Sequence, residues 1–509
     1  TTTWYAYDAL GRKTNEGSPG IATNRFTYSA AGDLVSLADG KGQVTAWAYD
    51  VYGRVTQKID DNEVVIIEYE YDAEGRLTNR WSLAKGDTRF EYDAVGNVRD
   101  VDYPVSTDLS FEYDALNRVT NMVDAIGTTS YAYEEGQRAS EDGPWALDTV
   151  SSSYESGRLR SGLSVEAPNS SAWVQSYAYD GATRLTNVTA AAGVFGYQYH
   201  SGMGGVTAAS RLIQRLDLGN GAVITNAFDG AGRWTETVLR TGGGTLRNRH
   251  AYGYNAANQR TAVTNDAGNG WAYAYDGLGQ LTGAVGRESG GTTRLQEQFG
   301  YADDAAGNLS QRTNNALVQS FSVNNLNQLS GGSRSGTLTV AGMTTPAATN
   351  VTINSLSATL YGDATFAREG FTITNGLNSF TAVAEDALGR TAAHTVSVNL
   401  PASPTFAYDD NGNLVSDGRR GFAYDDENQL VSVTVTNAAQ TKYAYDGRMR
   451  LRVRTECVWQ NSAWVTNAVV RYVYDGMLVV QERDGNNLPV ATYTRGIDLS
   501  GSFEGAGGI

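Results

Sequence analysis

Carboxylates are the most plentiful groups in this chain that could do chemistry. There are 55 Asp and Glu, against three His and one Cys. Two carboxylates suffice for glycoside hydrolysis. The aspartates, however, recur at one place, Asp-x-x-Gly, as at Asp8, Asp50, Asp72, Asp93 and Asp276. A group present at every turn is better explained by turn chemistry than by catalysis. The doublets Asp60-Asp61 and Asp409-Asp410 stand in loops. Asp409-Asp410-Asn411-Gly412-Asn413 superficially resembles a calcium loop, without the twelve-residue pattern and its closing Glu. His200, His250 and His394 lack metal spacing, and serines are too common for a triad to be specific. Cys457, beside Val458 and Trp459, reads as a small core residue and permits no internal disulfide. The residues therefore assign no catalytic site, metal or cofactor, and the chain reads as no enzyme.

Composition narrows the class. Among 509 residues, Gly (58) and Tyr (30) are abundant, while Pro (8) and Phe (13) are scarce. That mixture fits many turns between aromatic strands. A net charge of -16 argues against a nucleic-acid partner, which would need clustered Lys and Arg. No apolar run reaches the length of a membrane span. The chain starts Thr1-Thr2-Thr3 and ends Gly505-Ala506-Gly507-Gly508-Ile509, and both ends read as cut from a longer protein.

The elements that place these groups repeat. Tyr7, Tyr28, Tyr49, Tyr71, Tyr92, Tyr113, Tyr133 and Tyr154 follow one another at steps of 20 to 22 residues. Tyr179, Tyr199, Phe228, Tyr254, Tyr275, Tyr301, Phe321, Tyr408, Tyr424, Tyr445, Tyr474 and Tyr493 continue the series less evenly, with one gap of 87. A good copy is Tyr69-Glu70-Tyr71-Asp72-Ala73-Glu74-Gly75-Arg76-Leu77-Thr78. Its two aromatics, two residues apart, share a face in a strand but not in a helix. Asp suits the first turn position, and Gly the fourth, where φ > 0 closes a hairpin with a bulge. The anchors are Tyr7, Asp8 and Gly11; Tyr49, Asp50 and Gly53; Tyr71, Asp72 and Gly75; Tyr92, Asp93 and Gly96; Tyr275, Asp276 and Gly279; Tyr408, Asp409 and Gly412. Where the glycine is replaced, Asn is expected, the residue that best tolerates left-handed geometry. Asn117 after Tyr113 and Asp114 fits, as do Asn258, Asn327 and Asn428. A lone hairpin is marginal in water, so stability must come from stacking neighbours.

About twenty such units in register resemble the YD repeats of the RHS family, over roughly residues 1–330 and 404–500. The resemblance implies an all-β fold in which a spiralling hairpin ribbon forms a hollow shell or part of one. It implies a structural shell that encloses or presents a C-terminal toxin or effector cargo, in a secreted or cell-surface bacterial protein. Tyr493 to Gly501 resembles the stretch just before the family's self-cleaving core. The core's Asp-Pro-x-Gly signatures are not in this sequence, so neither self-cleavage nor toxin activity is carried over to any residue.

Residues 332–403 break the pattern. Thr337–Val340, Val351–Ile353, Ser379–Ala384 and Thr395–Val398 read as strands, and Gly376 to Thr391 resembles the late strands of bacterial Ig-like sandwiches. The expected organisation is therefore repeats over 1–331, a small inserted β-sandwich projecting outward over 332–403, repeats again over 404–500, and the start of a core-proximal segment over 501–509. The glycine-rich runs at 201–205, 241–244 and 289–291 read as hairpin tips. An adhesin with cell-surface or glycan ligands is the alternative. It would use the off-anchor Trp145, Trp173, Trp234, Trp459 and Trp464.

Overall fold

The tetrad folds as turn chemistry demands. The Asp8 carbonyl accepts from Gly11 N at 3.0 Å, and Asp8 N donates to Arg12 O at 3.0 Å. Asp8 Oδ1 accepts from Leu10 N and Arg12 N, at 2.9 and 3.0 Å. The pattern recurs at Asp50, Asp93, Asp114 and Asp276. Gly11, Gly53, Gly96 and Gly279 have φ of 77°, 78°, 98° and 90°, and Asn117, Asn258, Asn327 and Asn428 have φ of 59° to 63°. A bulge precedes each turn, as between Ala48 and Tyr49. The expectation that only Asn replaces the glycine is too narrow. Thr183 (φ 61°) and Met449 (φ 62°) hold the same position. Both sit in turns whose Asp also clamps an Arg, Arg184 Nε at 2.7 Å and Arg450 Nε at 2.8 Å. Such bonds can hold a residue in a sparsely populated conformation.

The computed structural model describes residues 3–17, 23–155, 159–201, 210–345 and 347–497. The run at 202–205 and the segment 501–509 lie outside them. The described residues are all-β, without a helix, and form long antiparallel hairpin sheet. Two anchors sit elsewhere than the sequence spacing places them. The bulges at Ala302/Asp303 and Ser322/Val323 put Asp303 and Val323 in the pre-turn position, two residues beyond Tyr301 and Phe321.

The chain divides into two units, Thr1–Ile66 with His250–Tyr408, and Ile67–Arg249 with Asp409–Ile509. The second holds an apolar core in which Val150, Leu163, Val165, Tyr177, Val188, Val473 and Val480 are buried. The first contains the inserted segment. There a three-stranded sheet (Leu338–Met343, Thr365–Phe371, Thr359–Leu360) faces a four-stranded one (Leu356–Ser357, Asn350–Ile353, Gly376–Glu385, Thr391–Leu400). Val351, Ile353, Phe366, Phe371 and Phe380 fill the space between them. The segment leaves and rejoins the array at a Gly331–Thr405 bridge. It is tied to the repeats rather than hanging free. Arg294 pairs with Asp363 at 2.9 Å, and Leu295 N donates to the Tyr361 hydroxyl at 2.8 Å.

Backbone geometry alone should set the cost of changing a turn glycine. No atom lies within 4 Å of a Cβ built on Gly96 or on Gly181, but only Gly96 has positive φ. Gly96→Ala is expected to destabilise its hairpin by about 1–2 kcal/mol, with Gly181→Ala close to neutral. Amide exchange in Val98–Asp102 and Leu185–Ala190 reads the difference, and equal effects would refute the backbone explanation.

Candidate functional site

The repeat residues meet in a relay between neighbouring hairpins. Each Arg that follows a turn is clamped by the turn's Asp. Arg12, Arg54, Arg76 and Arg118 Nε lie 2.6 to 2.7 Å from Asp8, Asp50, Asp72 and Asp114 Oδ2. The guanidinium then lies over the tyrosine of the next repeat. Arg12 is 4.8 Å from the Tyr28 ring centroid, Arg76 4.8 Å from Tyr92, and Arg118 4.3 Å from Tyr133. That tyrosine's hydroxyl donates to the carbonyl one residue past the Arg position. Tyr28 reaches Lys13 O at 2.8 Å, Tyr49 Leu34 O at 2.7 Å, and Tyr92 Leu77 O at 2.7 Å. Tyr113, Tyr275 and Tyr445 do the same with Val98, Arg260 and Leu430. Burial raises the phenol pKa of Tyr92, Tyr113 and Tyr445, so each stays a donor. Sequence reading placed these rings on one face but missed the hydroxyl's task. The excess of Tyr over Phe was its signal.

A second constellation joins residues about 320 apart. In the second unit, Arg80 and Tyr103 bind Glu427, at 3.0 and 2.9 Å. Ser106 N donates to Asp426, Gly447 N to Asp124, and Arg450 Nη2 to Glu141, at 2.6, 2.8 and 2.6 Å. Arg160 pairs with Asp475, and Gln175 with the Arg495 backbone. The separations stay between 309 and 347 residues. A near-constant offset means that the later repeats run beside the earlier ones as a second row. The docked tips bring Asp426, Glu427 and Gly447 against the connecting turns of the first row. In the first unit the same relation holds. Asn327 reaches Asp39 at 2.8 Å, and Asn324 O accepts from Gln43 at 3.0 Å.

The second unit's seam buries charge. Arg450, Asp446, Arg452 and Asp148 side chains are at most 3% exposed. Arg450 bridges Asp446 and Glu141, and Arg452 lies 3.3 Å from Asp446. Arg483, fully buried, donates to the carbonyls of Leu147 and Glu166 at 2.8 and 2.7 Å. An unmatched charge here would cost several kcal/mol, roughly, so these pairs fix which tip meets which turn. Asp148 is the strained member. Its Oδ1 has no hydrogen-bond partner and Arg452 Nη2 stands 3.7 Å from Oδ2. Burial pushes its pKa up to about 6, against the pull of Arg452. Burial also raises the carboxyls of Asp124 and Asp425. Asp425 is itself a turn aspartate; others, in more exposed turns, go the other way. Hydrogen bonds from Arg118 lower Asp114, and those from Arg233 lower Asp229.

The remaining candidates are absorbed into packing. Asp409 Oδ1 accepts from Asn411 N and Asn413 N as a turn residue. No group of three or more His, Cys, Asp or Glu suited to a metal occurs among the described residues. His200 packs edge-on to Phe228, His250 stacks on Tyr252, and Cys457 is buried. Trp145 lies under Arg452 and Arg471, Trp173 against the core, Trp234 on Phe228, and Trp459 on Trp464.

Comparisons fit this geometry. The family described as Teneurin YD-shell matches residues 1–141, and that described as RHS Repeat matches residues 254–292. No curated protein matches the chain. Among solved structures, the TcdB2-TccC3-Cdc42 structure is similar at 13% identity and a TM-score of 0.53, over 95% of this chain and 27% of that one. TcdB2-TccC3 without its hypervariable C-terminal region is similar at 13% identity and a TM-score of 0.52, over 96% and 27%. At that identity the likeness is one of fold. The chain spans about a quarter of the length of those structures.

Two measurements probe the site. Tyr113→Phe leaves the Val98 carbonyl without its donor and is expected to cost about 1 kcal/mol. Arg450→Met removes the buried cation that bridges Asp446 and Glu141, leaving them Arg452 and Arg138 alone at close range, and is expected to cost about 3 kcal/mol. Urea unfolding followed by exchange in the flanking hairpins checks both. The pH dependence has two limbs. A lowered turn Asp gives stability that is present above its unfolded value and lost as pH falls through its folded pKa. Asp148 has a raised pKa, so its contribution is full below about 4 and lost as pH rises through about 6. Thermal melts should therefore peak between those values, and Asp148→Asn should flatten the upper limb. An unchanged upper limb would show that Asp148 is not responsible.

Proposed function

The chain belongs to the RHS/YD-repeat proteins, and on that premise we propose that its repeats form a non-catalytic wall enclosing or presenting a C-terminal toxin or effector segment of a longer protein. The observation that carries this reading is the row-to-row seam. A wall must be closed between rows as well as along them. The constant offset of Arg80–Glu427 through Gln175–Arg495 supplies that second direction of cohesion. Apart from Asp148, the buried charges of the seam are paired, and Arg483 meets carbonyls. The likeness to TcdB2-TccC3, solved also without its hypervariable C-terminal region, supports a variable segment as the cargo. A wall needs no reactive group, which agrees with aspartates engaged in turns and with His200 and His250 held in ring packing. No helix among the described residues is long and apolar enough to cross a membrane. A secreted or cell-associated location suits a protein that carries a toxin outward.

The test is protease protection in the longest natural protein containing this chain. The C-terminal segment should survive digestion while the repeats are native, and Arg450→Met should expose it. A segment cut as fast in the native protein as after unfolding would end the enclosure reading.

A further inference from the structure

Beside the seam, the second unit holds a cavity of about 290 Å³ with an apolar wall of Phe111, Val119, Met122, Tyr131 and Tyr133. Register puts these side chains on one face of the sheet. Phe111 opposes Met122 and Tyr113 opposes Val119. Met122 in turn opposes Thr129, two residues before Tyr131. Tyr131 and Tyr133 oppose Glu141 and Arg138, so those two charges stand on the same side as the rings. The second row closes one end. Gly447 N donates to Asp124 at 2.8 Å, which holds the Asp446–Arg450 turn there. Gly447 lies against Met122, where an added Cβ would come within 2.9 Å of the sulfur. Arg448, next in that turn, lines the cavity together with Arg138.

Two unmet groups define what the cavity takes. Arg138, Arg448 and Arg450 converge on Glu141, at 2.8, 3.5 and 2.6 Å. Arg450 also holds Asp446, and Arg138 also faces Asp475 at 3.7 Å. Arg448 pairs with no other acid, and its guanidinium donates no hydrogen bond among the described residues. Its side chain is 36% exposed, so an anion can reach it. The second group is the Tyr131 hydroxyl. Tyr131 is 8% exposed, and its hydroxyl has no hydrogen-bond partner. Burial pushes that phenol's pKa up to about 12, so it stays a donor, and it feels the charge of Arg448. The converging arginines repel a cationic guest, and an uncharged apolar one would leave both donors unmet. Three rings and a thioether favour a flat aromatic body. A hole of about 150 Å³ takes one benzene, so this cavity has room for one or two fused rings and a short acid chain.

We propose that the cavity binds a small aromatic carboxylic acid, with its ring against Phe111, Met122 and Tyr133 and its carboxylate on Arg448, beside the Tyr131 hydroxyl. The guest enters ring first and leaves its charge at the exposed guanidinium. The pair is an ordinary charge-assisted one, strengthened by the apolar wall behind it.

The probe is indole-3-propionate, added at concentrations on the order of 1 mM to the whole chain carrying labelled methionine methyls. A ring bound against Met122 should shift its methyl resonance, while that of Met343, in the inserted segment, stays in place. Indole-3-propionamide, of the same shape without the charge, should bind roughly tenfold more weakly or worse. Arg448→Gln should erase that preference, and Val119→Phe, which fills the cavity, should abolish both shifts. Should either variant lower the melting temperature, the acid and amide comparison on the native chain decides alone. The peptide Gly-Gly-Trp with a free C-terminus tests a chain end as the source, and tighter binding of the peptide than of the acid would overturn the small-molecule assignment. No shift of the Met122 methyl, equal binding of acid and amide, or a preference that survives Arg448→Gln in a folded variant would overturn the proposal.

Discussion

Each hairpin here is too small to bury a core, and backbone ladders between neighbouring hairpins, reinforced by the tyrosine hydroxyl tie, join a row of marginal hairpins into one sheet. The chain's buried apolar residues gather in a cluster around Val165 and Val480 and another around Ile353 and Phe366. Many other hairpins lack such a core. They depend on three linked groups: an Asp that sets the turn, an Arg that the Asp holds flat, and a Tyr that lies under the Arg and bonds the next carbonyl. The ring contributes area, the hydroxyl fixes register, and the guanidinium covers the ring's face. The three act together because each one positions the next.

The same letters serve a different purpose in the second unit's seam. Arg76 and Arg450 hold the same place in their repeats, yet Arg76 is partly exposed and Arg450 is wholly buried. A buried guanidinium is tolerated only where acids or carbonyls await it. Asp446, Glu141 and the Gly476 carbonyl meet Arg450. The arrangement gains specificity, because a row slipped by one hairpin would leave those charges unmatched. Asp148, incompletely matched, makes part of that specificity sensitive to pH.

Much of this was legible in the sequence, because much of it is local. The period, the paired aromatics and Asn117 or Asn428 at a left-handed turn all follow from contacts a few residues apart. Four strands of the inserted segment were legible for the same reason, but Thr365–Phe371, central in its first sheet, was not read as one. Thr183 and Met449 were not legible, and nothing in their turns sets them apart, since the glycine turns share the same Asp–Arg clamp. Nor was the seam. Glu427 could not be matched to Arg80 across 347 residues, because nothing local to either repeat says which row will lie beside which. The cluster Arg448, Arg450, Arg452 and Arg454 was the one visible sign that this stretch meets acids elsewhere.

A wall held by ties between neighbours and by a charged seam should not open all at once. Native-state hydrogen exchange in graded denaturant tests that most directly. The account predicts a ladder of opening free energies. Strands around Arg450, Val165 and Val480 should open last, and hairpins held by ladders and the tyrosine tie alone should open earlier. A single opening energy shared by every hairpin would contradict it.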